Sequence, residues 1–245
     1  MDKENNLIAY VTDDKEDIIK SQKLRYQVFG IEEGRNVHAI DGVESDEFDE
    51  YCKHLIVKDT LTDEVVGYYR LNIPETVKHT GKWYSESEFD LSNIKPILDS
   101  TIECGRACIK KEYRTGGAML LLWAKLYEFM RDNNFKYFMG CASSSMDDGG
   151  YEASNLYHYL SEKYTTPKEF MVKTLSPINL ELRNDAKVIV PPLVKGYLQL
   201  GGYICSEPSW DKDWNTSDLF ILVAFDNLNS RYLKHFAKLN NNSAE

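Results

Sequence analysis

The 245-residue chain is poor in the features that staple, anchor or metallate a fold. Its five cysteines, an odd number without paired close spacing, build neither a disulfide scaffold nor a zinc knuckle, so a reducing compartment is the simpler expectation. The five histidines, His38, His54, His79, His158 and His235, form no compact ligand motif, and no metal is expected. Long apolar runs are missing as well. Charge interrupts every hydrophobic segment before the ~20 residues that a transmembrane helix requires. The N-terminal MDKENNLIAYVTDDKEDIIK lacks the basic start and apolar stretch of a signal peptide. A cytoplasmic protein is expected, with peripheral contact at the inner membrane face left open. Basic residues are in deficit, 29 against 39 acidic ones, and the resulting charge of −10 argues against nucleic acid as the main partner. Internal repeats, a Walker A lysine motif, a complete dinucleotide fingerprint and a Gly-x-Ser-x-Gly elbow are all absent.

What is present centres on residues 102–131, IECGRACIKKEYRTGGAMLLLWAKLYEFMR. A strand-like run passes through a basic turn and across Thr115-Gly116-Gly117 into about fifteen residues of helix-forming composition. Paired glycines permit a tight turn and close backbone approach, and the N–H groups of a first helical turn suit an anion such as a pyrophosphate. By spacing alone an ordinary strand, turn and helix is the favoured reading. Lys110, Lys111 and Arg114 make the turn locally basic, either as a solvated surface or as a dock for an anionic cofactor or acidic carrier; Lys187 and Lys195 offer a second such patch.

Before this stretch, LIAYV at 7–11 reads as a strand and residues 16–29 as a helix capped by Thr12 or Asp13. Residues 30–50 read as a long acidic loop with one helical turn, a length that usually binds or closes over something. Most of its acids are expected at a solvated edge, with Asp46 and Asp49 as exceptions. CKHLIVKD and EVVGYYRLNIP form an expected hairpin ending at Pro74, with Arg70 needing a carboxylate or solvent. SESEFDLS suggests a capped helical turn. Glu103 and Arg106 are three apart, on opposite faces of a regular strand, and only a bulge unites them. Beyond the central helix, FKYFMGCAS reads as a parallel neighbour of the strand before it, and EASNLYHYLSEKY as a short helix. Strand pairing is expected within 165–190, including AKVIV, then a short helix after the double proline, a strong strand in LFILVAF and an amphipathic NSRYLKHFAKL.

Taken together, LRYQVF at 24–29, HLIV at 54–57, YSESEFDLS at 84–92, ECGRACI at 103–109, YRTGGA at 113–118, FMGCAS at 138–143, PPLVKGYLQLGG at 191–202 and DKDWNTSDLFI at 211–221 resemble blocks of the GNAT acyltransferase superfamily. The resemblance is to its bacterial ornithine-lipid N-acyltransferase group, and more distantly to the acyl-homoserine-lactone synthases. Arg35 and Asn36 stand where the synthases have a tryptophan, which favours the lipid enzyme.

The resemblance implies an α/β fold: a mixed central sheet with a V-shaped split between central strands, flanked by helices. It implies a single domain over 1–245, with an acidic substrate loop at about 30–50 and a C-terminal extension at about 226–245. No tightly bound cofactor is implied; the donor is acyl carrier protein bearing a long, 3-hydroxylated chain on its phosphopantetheine, with acyl-CoA left open. The acceptor is the α-amino group of ornithine. Glu103 and Arg106 are the implied catalytic pair, and Arg25, Phe29, Asp46, Asp49 and Arg70 the implied substrate-binding residues. Ala107, Cys108 and Ile109 would polarise the thioester, and Arg114, Thr115, Gly116, Gly117, Ala118 and Met119 would hold the donor's phosphate arm. Acylation of glycine or another amino acid, a homoserine-lactone-like synthase, and a noncatalytic acyl-carrier or lipid-binding protein on the same scaffold remain as alternatives.

Overall fold

A computed structural model describes residues 6–164, 166–183, 185, 188–228 and 236. Strand β1 (Leu7–Thr12) leads into helix α1 (Lys15–Arg25). The helix starts where it does because the Asp14 carboxylate accepts from the N–H groups of Glu16 and Asp17, at 2.9 and 3.0 Å. Thr12 Oγ1 accepts from Asp14 N instead, so the cap lies beyond the Thr12 or Asp13 expected from sequence. The helix does not stop at Arg25 but widens into a π-helical segment, Tyr26–Glu32, which carries Phe29 into the interior.

The acidic loop contains a small hairpin, β2 (Ala39–Ile40) with β3 (Val43–Glu44), which was not expected, followed by one turn closed by the Cys52 N–H on the Phe48 carbonyl at 3.0 Å. Asp41 and Gly42 both have positive φ, 53° and 75°, as a two-residue primed turn demands. The Asp-Gly dipeptide was the available signal. Strands β4 (Lys53–Asp59) and β5 (Glu64–Asn72) then form the expected antiparallel hairpin, with His54 opposite Arg70. Pro74 opens helix α2 (Pro74–Thr80), the helical position at which a missing N–H costs nothing. A 3₁₀ turn at Tyr84–Ser87, strand β6 (Phe89–Asp90) and a 3₁₀ stretch at Ser92–Ser100 precede β7 (Thr101–Ile109). Helix α3 (Gly117–Asp132) and β8 (Tyr137–Ser145) follow, then α4 (Tyr151–Ser161), β9 (Lys173–Thr174), α5 (Pro192–Gln199), β10 (Tyr203–Ile204), β11 (Ser209–Asp211) and β12 (Thr216–Ala224).

Two compact units share this chain. The first takes the segment before Lys82 and Cys104–Phe135. There β4 pairs with both β1 and β5, and its Leu55, Ile56 and Val57 are fully buried. Helix α3 packs on β1, β4 and β5 through residues that include Leu122 and Leu126, and α1 packs on β5. The second unit takes Lys82–Glu103 and Lys136–Asn229. In it β8 pairs in parallel with Thr101, Ile102 and Glu103 of β7, the relation expected from the intervening helix. Strand β12 runs antiparallel to β8 along nine residues and also pairs with β10 and β11, which explains its near-continuous apolar sequence: eight of its nine residues are buried. The mixed α/β sheet with flanking helices is therefore present, and β7 is divided between the units after Glu103.

Among the described residues of 166–190 the expected strand pairing shrinks to β9, two residues paired with β6, and an isolated bridge of Pro177 to Ser209. Residues 188–190 carry no regular structure and Ile189 is 63% exposed; 186 and 187 lie outside the described residues, while Lys195, the other half of the expected patch, is exposed on α5. Most of NSRYLKHFAKL and of the extension at 226–245 is likewise outside them. Phe236 is described: it is buried, its ring 6.0 Å from that of Tyr127.

Candidate active site

The first unit holds three arginines and three carboxylates from four separate segments. Arg25, at the end of α1, donates through Nε to Glu44 and through a terminal nitrogen to Asp49 Oδ1 at 2.7 Å. Arg70, on β5, donates to Asp46 Oδ1 at 2.5 Å and to Asp49 Oδ1 at 3.0 Å. Arg106, on β7, donates to Asp46 Oδ2 at 3.0 Å and lies 3.5 Å from Glu44 Oε1. The network is internally neutral. Gln22 and the Asp46 N–H also donate to Asp49, while the guanidinium of Arg25 faces the Tyr68 ring and that of Arg70 the Phe48 ring.

Sequence spacing did not reveal Glu44, which was assigned to the solvated edge. It is 2% exposed because the β2–β3 turn folds it beneath Arg25. Charge within the network follows the pairing. Burial works against ionisation of Asp49, but Arg25 and Arg70 overcome it and hold its carboxyl far below the usual range. Burial opposes ionisation of Asp46 too, and Arg70 with Arg106 lowers it. Burial lowers the His54 imidazole from its ordinary range, and its ring is bonded to Tyr68 OH and the Asp49 carbonyl. Exposure grades across the network. The Arg25 and Arg70 side chains are 0% and 3% exposed, Arg106 11% and Asp46 23%, so the last two form its open end.

Arg106 has φ 53°, a left-handed residue inside a strand, at a cost of ~1–3 kcal/mol. Its partners and those of Glu103 are different. Glu103 accepts from the N–H groups of Tyr84 and Ser85, both at 2.7 Å, and from the Ser85 hydroxyl. The capped turn in YSESEFDLS thus serves the Glu103 carboxylate, which is 3% exposed within the second unit.

The glycine turn is built as a helix entrance. Gly116 has φ 112°, a conformation that side chains rarely adopt, and α3 begins at Gly117. Arg114, Thr115 and Gly116 are exposed, Met119 is half-buried and Ala118 is buried. Arg114 donates to the Ile109 carbonyl at 2.8 Å and pairs with Glu32 at 2.6 Å, fixing the turn to the strand. Ala107 is half-buried while Cys108 and Ile109 are interior, and burial drives the Cys108 thiol upward.

Residues 24–124 match the acetyltransferase (GNAT) domain family. The strand, the glycine turn and the first half of the helix fall inside that match, and the protein is a GNAT-class N-acyltransferase. Along 238 residues the chain is 32% identical to L-ornithine N(alpha)-acyltransferase of Brucella abortus (strain 2308), covering 88% of this chain and 83% of that protein. The enzyme of the same name from Rhodobacter capsulatus is 28% identical over 239 residues, 92% of each chain. The chain belongs to the L-ornithine N(alpha)-acyltransferase family. Among solved structures, BjaI, a CoA-dependent acyl-homoserine lactone synthase with MTA, shares the fold at TM-score 0.57 and 14% identity, over 95% of this chain and 88% of that one.

Proposed function

We propose that this protein transfers a long, 3-hydroxylated acyl chain from a thioester to the α-amino group of ornithine, giving N-acyl-ornithine, the single-chain precursor of an ornithine lipid. The observation that carries the reading is the 32% identity to the Brucella enzyme along nearly the whole chain. Chemically, the α-ammonium loses one proton, its nitrogen attacks the thioester carbonyl and forms the C–N bond, and the tetrahedral intermediate collapses with C–S cleavage as the nitrogen gives up a second proton. The thiolate leaves and takes up a proton. Acyl carrier protein is the proposed donor. The exposed, basic Lys111 and Arg114 beside the turn suit an acidic carrier, and the CoA dependence of BjaI supports a pantetheine thioester in this fold.

Thr115 to Met119, with Arg114, receive the donor's phosphate arm at the N-terminus of α3. Backbone N–H groups from Ala107 to Ile109 polarise the thioester carbonyl. Glu103 takes the α-ammonium proton. Arg106, the most open of the three arginines, is the fork for the substrate carboxylate. Arg25, Asp49 and Arg70 hold the acidic loop in place for it, Asp46 orients Arg106, and Phe29 walls the π-helical segment. No helix among the described residues is long and apolar enough to cross a membrane; the proposed setting is the cytoplasm, with peripheral delivery of product to the membrane.

Incubating the protein with 3-hydroxyacyl carrier protein, or the matching CoA thioester, and a panel of amino acids tests this by mass detection of amides. Ornithine-dependent product with the carrier-bound donor is expected; efficient, preferential acylation of glycine would refute the assignment. Glu103→Gln should lower kcat about 100-fold with donor KM little changed. An unaltered pH–rate profile in that variant removes Glu103 as the proton acceptor.

A further inference from the structure

The second unit contains a polar cluster for which the scheme above has no use. Asp218 on β12 lies opposite Ser143 on β8 and Ser209 on β11, and Thr216 lies opposite Asp211. Residues directly opposed or two apart share a face of a sheet, so both aspartates and Thr216 project to the same side. Glu88 arrives from the segment before β6, its carbonyl pinned by the Leu175 N–H at 2.8 Å and the Ser209 hydroxyl at 3.2 Å. Glu88, Asp211 and Asp218 each offer a carboxylate oxygen, all within 4.8 Å of one another.

Unlike the arginine network, this nest has no internal counter-charge. Among the described residues, none of the three forms an ion pair with Lys or Arg. Glu88 and Asp218 are 6% and 4% exposed, yet Glu88 Oε2, Asp218 Oδ1 and the neighbouring Thr216 Oγ1 have no hydrogen-bond partner. Glu88 and Asp218 hydrogen-bond to each other, which needs a shared proton, and Ser143 bonds Asp218, but the oxygens left open are costly in a buried carboxylate, and a bound cation is the other remedy. Burial and mutual repulsion raise both the Glu88 and the Asp218 carboxyl, and burial with the same acids raises the Cys141 thiol beside them. Ser143, opposite Asp218, is exposed and Asp211 half-buried, so the nest has a solvent side.

A primary ammonium carries three N–H donors and a unit positive charge, and three carboxylates, each offering one oxygen to a common point, supply the acceptors and the charge to receive it.

We propose that Glu88, Asp211 and Asp218 form the recognition site for a primary ammonium, the δ-ammonium of the ornithine acceptor. This rests on the acylation reading above and adds the determinant of its side-chain selectivity. Two of the sequence blocks singled out earlier supply the nest: Glu88 lies in YSESEFDLS, and Asp211 and Asp218 bracket DKDWNTSD. The ammonium provides the positive charge that the fold withholds from these acids.

Wild-type protein, Glu88→Gln and Asp218→Asn are compared with ornithine and with 2-aminopentanoate, which lacks only the δ-amine. Wild type is expected to show a KM at least tenfold lower for ornithine. Each variant should raise the ornithine KM tenfold or more, leave that of 2-aminopentanoate within twofold, and leave donor KM unchanged. A thermal melt checks that each variant folds, and Asp211→Asn, at the half-buried member, substitutes for any that does not. An unchanged ornithine preference in folded variants overturns the proposal. Calorimetry without donor separates it from the acylation reading. If wild type acylates no ornithine, that reading fails; ornithine and 1,4-diaminobutane that bind wild type but not the variants still establish the ammonium site, and equal binding refutes it. Turnover abolished by chelator and restored by magnesium or manganese, with the metal site lost in the variants, overturns the ammonium assignment in favour of a metal.

Discussion

The two polar clusters solve opposite problems with similar residues. In the first unit, Glu44, Asp46 and Asp49 are each matched by guanidinium groups, and the result resembles an ionic latch on the acidic loop. In the second, Glu88, Asp211 and Asp218 face one another without a cation. The difference teaches how to read buried charge. A satisfied network holds structure together, and removing one partner strands another; an unsatisfied nest opposes folding and is explained by something that binds it. Glu103 belongs chemically with the first kind although it lies in the second unit, since two N–H groups and a hydroxyl already serve its carboxylate.

The largest effect should follow from Arg70→Met. It removes the cation shared by Asp46 and Asp49, leaving Arg25 to balance the charge of buried Asp49, and a loss of about 3–5 kcal/mol is expected in chemical denaturation. A loss under 1 kcal/mol would mean that the network is not a latch, and the comparison collapses. Glu103→Gln comes next. An amide presents one acceptor oxygen where the carboxylate had two, and turns an N–H towards one of the three donors. About 1–3 kcal/mol should be lost, measured by the same titration. A gain in stability would place Glu103 with the strained nest.

How much of this was legible in the sequence depends on the range of the interaction that decides each feature. Local rules found β1, the β4–β5 hairpin, the glycine turn with α3, and β12, because apolar pattern and glycine chemistry act over a few residues. The cap at Asp14 escaped them, as it turns on a one-residue choice among adjacent acids and hydroxyls, and the π-helical widening at Tyr26–Glu32 escaped them too. The β2–β3 hairpin was within reach, since Asp41-Gly42 is a strong turn dipeptide, but overall acidity hid it. Long-range pairing was harder. Arg70 announced its need for a carboxylate through strand position alone, whereas Glu44 had no local mark distinguishing it from its acidic neighbours. The partners of Glu103, Tyr84 and Ser85, sit in a block that the family resemblance picked out but that spacing could not connect to β7. Glu88, Asp211 and Asp218 likewise come together only because β11 and β12 pair and the segment before β6 crosses them.

The smallest expected effect is also the one that separates the clusters by sign. Asp218→Asn relieves repulsion in the nest and should stabilise the ligand-free protein by about 1 kcal/mol at neutral pH. Burial raises the Glu88 and Asp218 carboxyls in the folded chain, so folding takes up protons above the ordinary carboxylate range near ~4, and stability falls as pH climbs from there through the raised values. The advantage of Asp218→Asn should therefore be greater at pH 8 than at pH 5. The network behaves in reverse: Asp46 and Asp49 are lowered by their arginines, so their contribution is complete above the ordinary range and is lost as pH falls below it. Denaturant titrations of wild type and Asp218→Asn across that interval isolate the nest, because the arginine network is common to both. An advantage that grew on acidification would show the Asp218 carboxylate to be stabilised by folding, and the two clusters would then be of one kind.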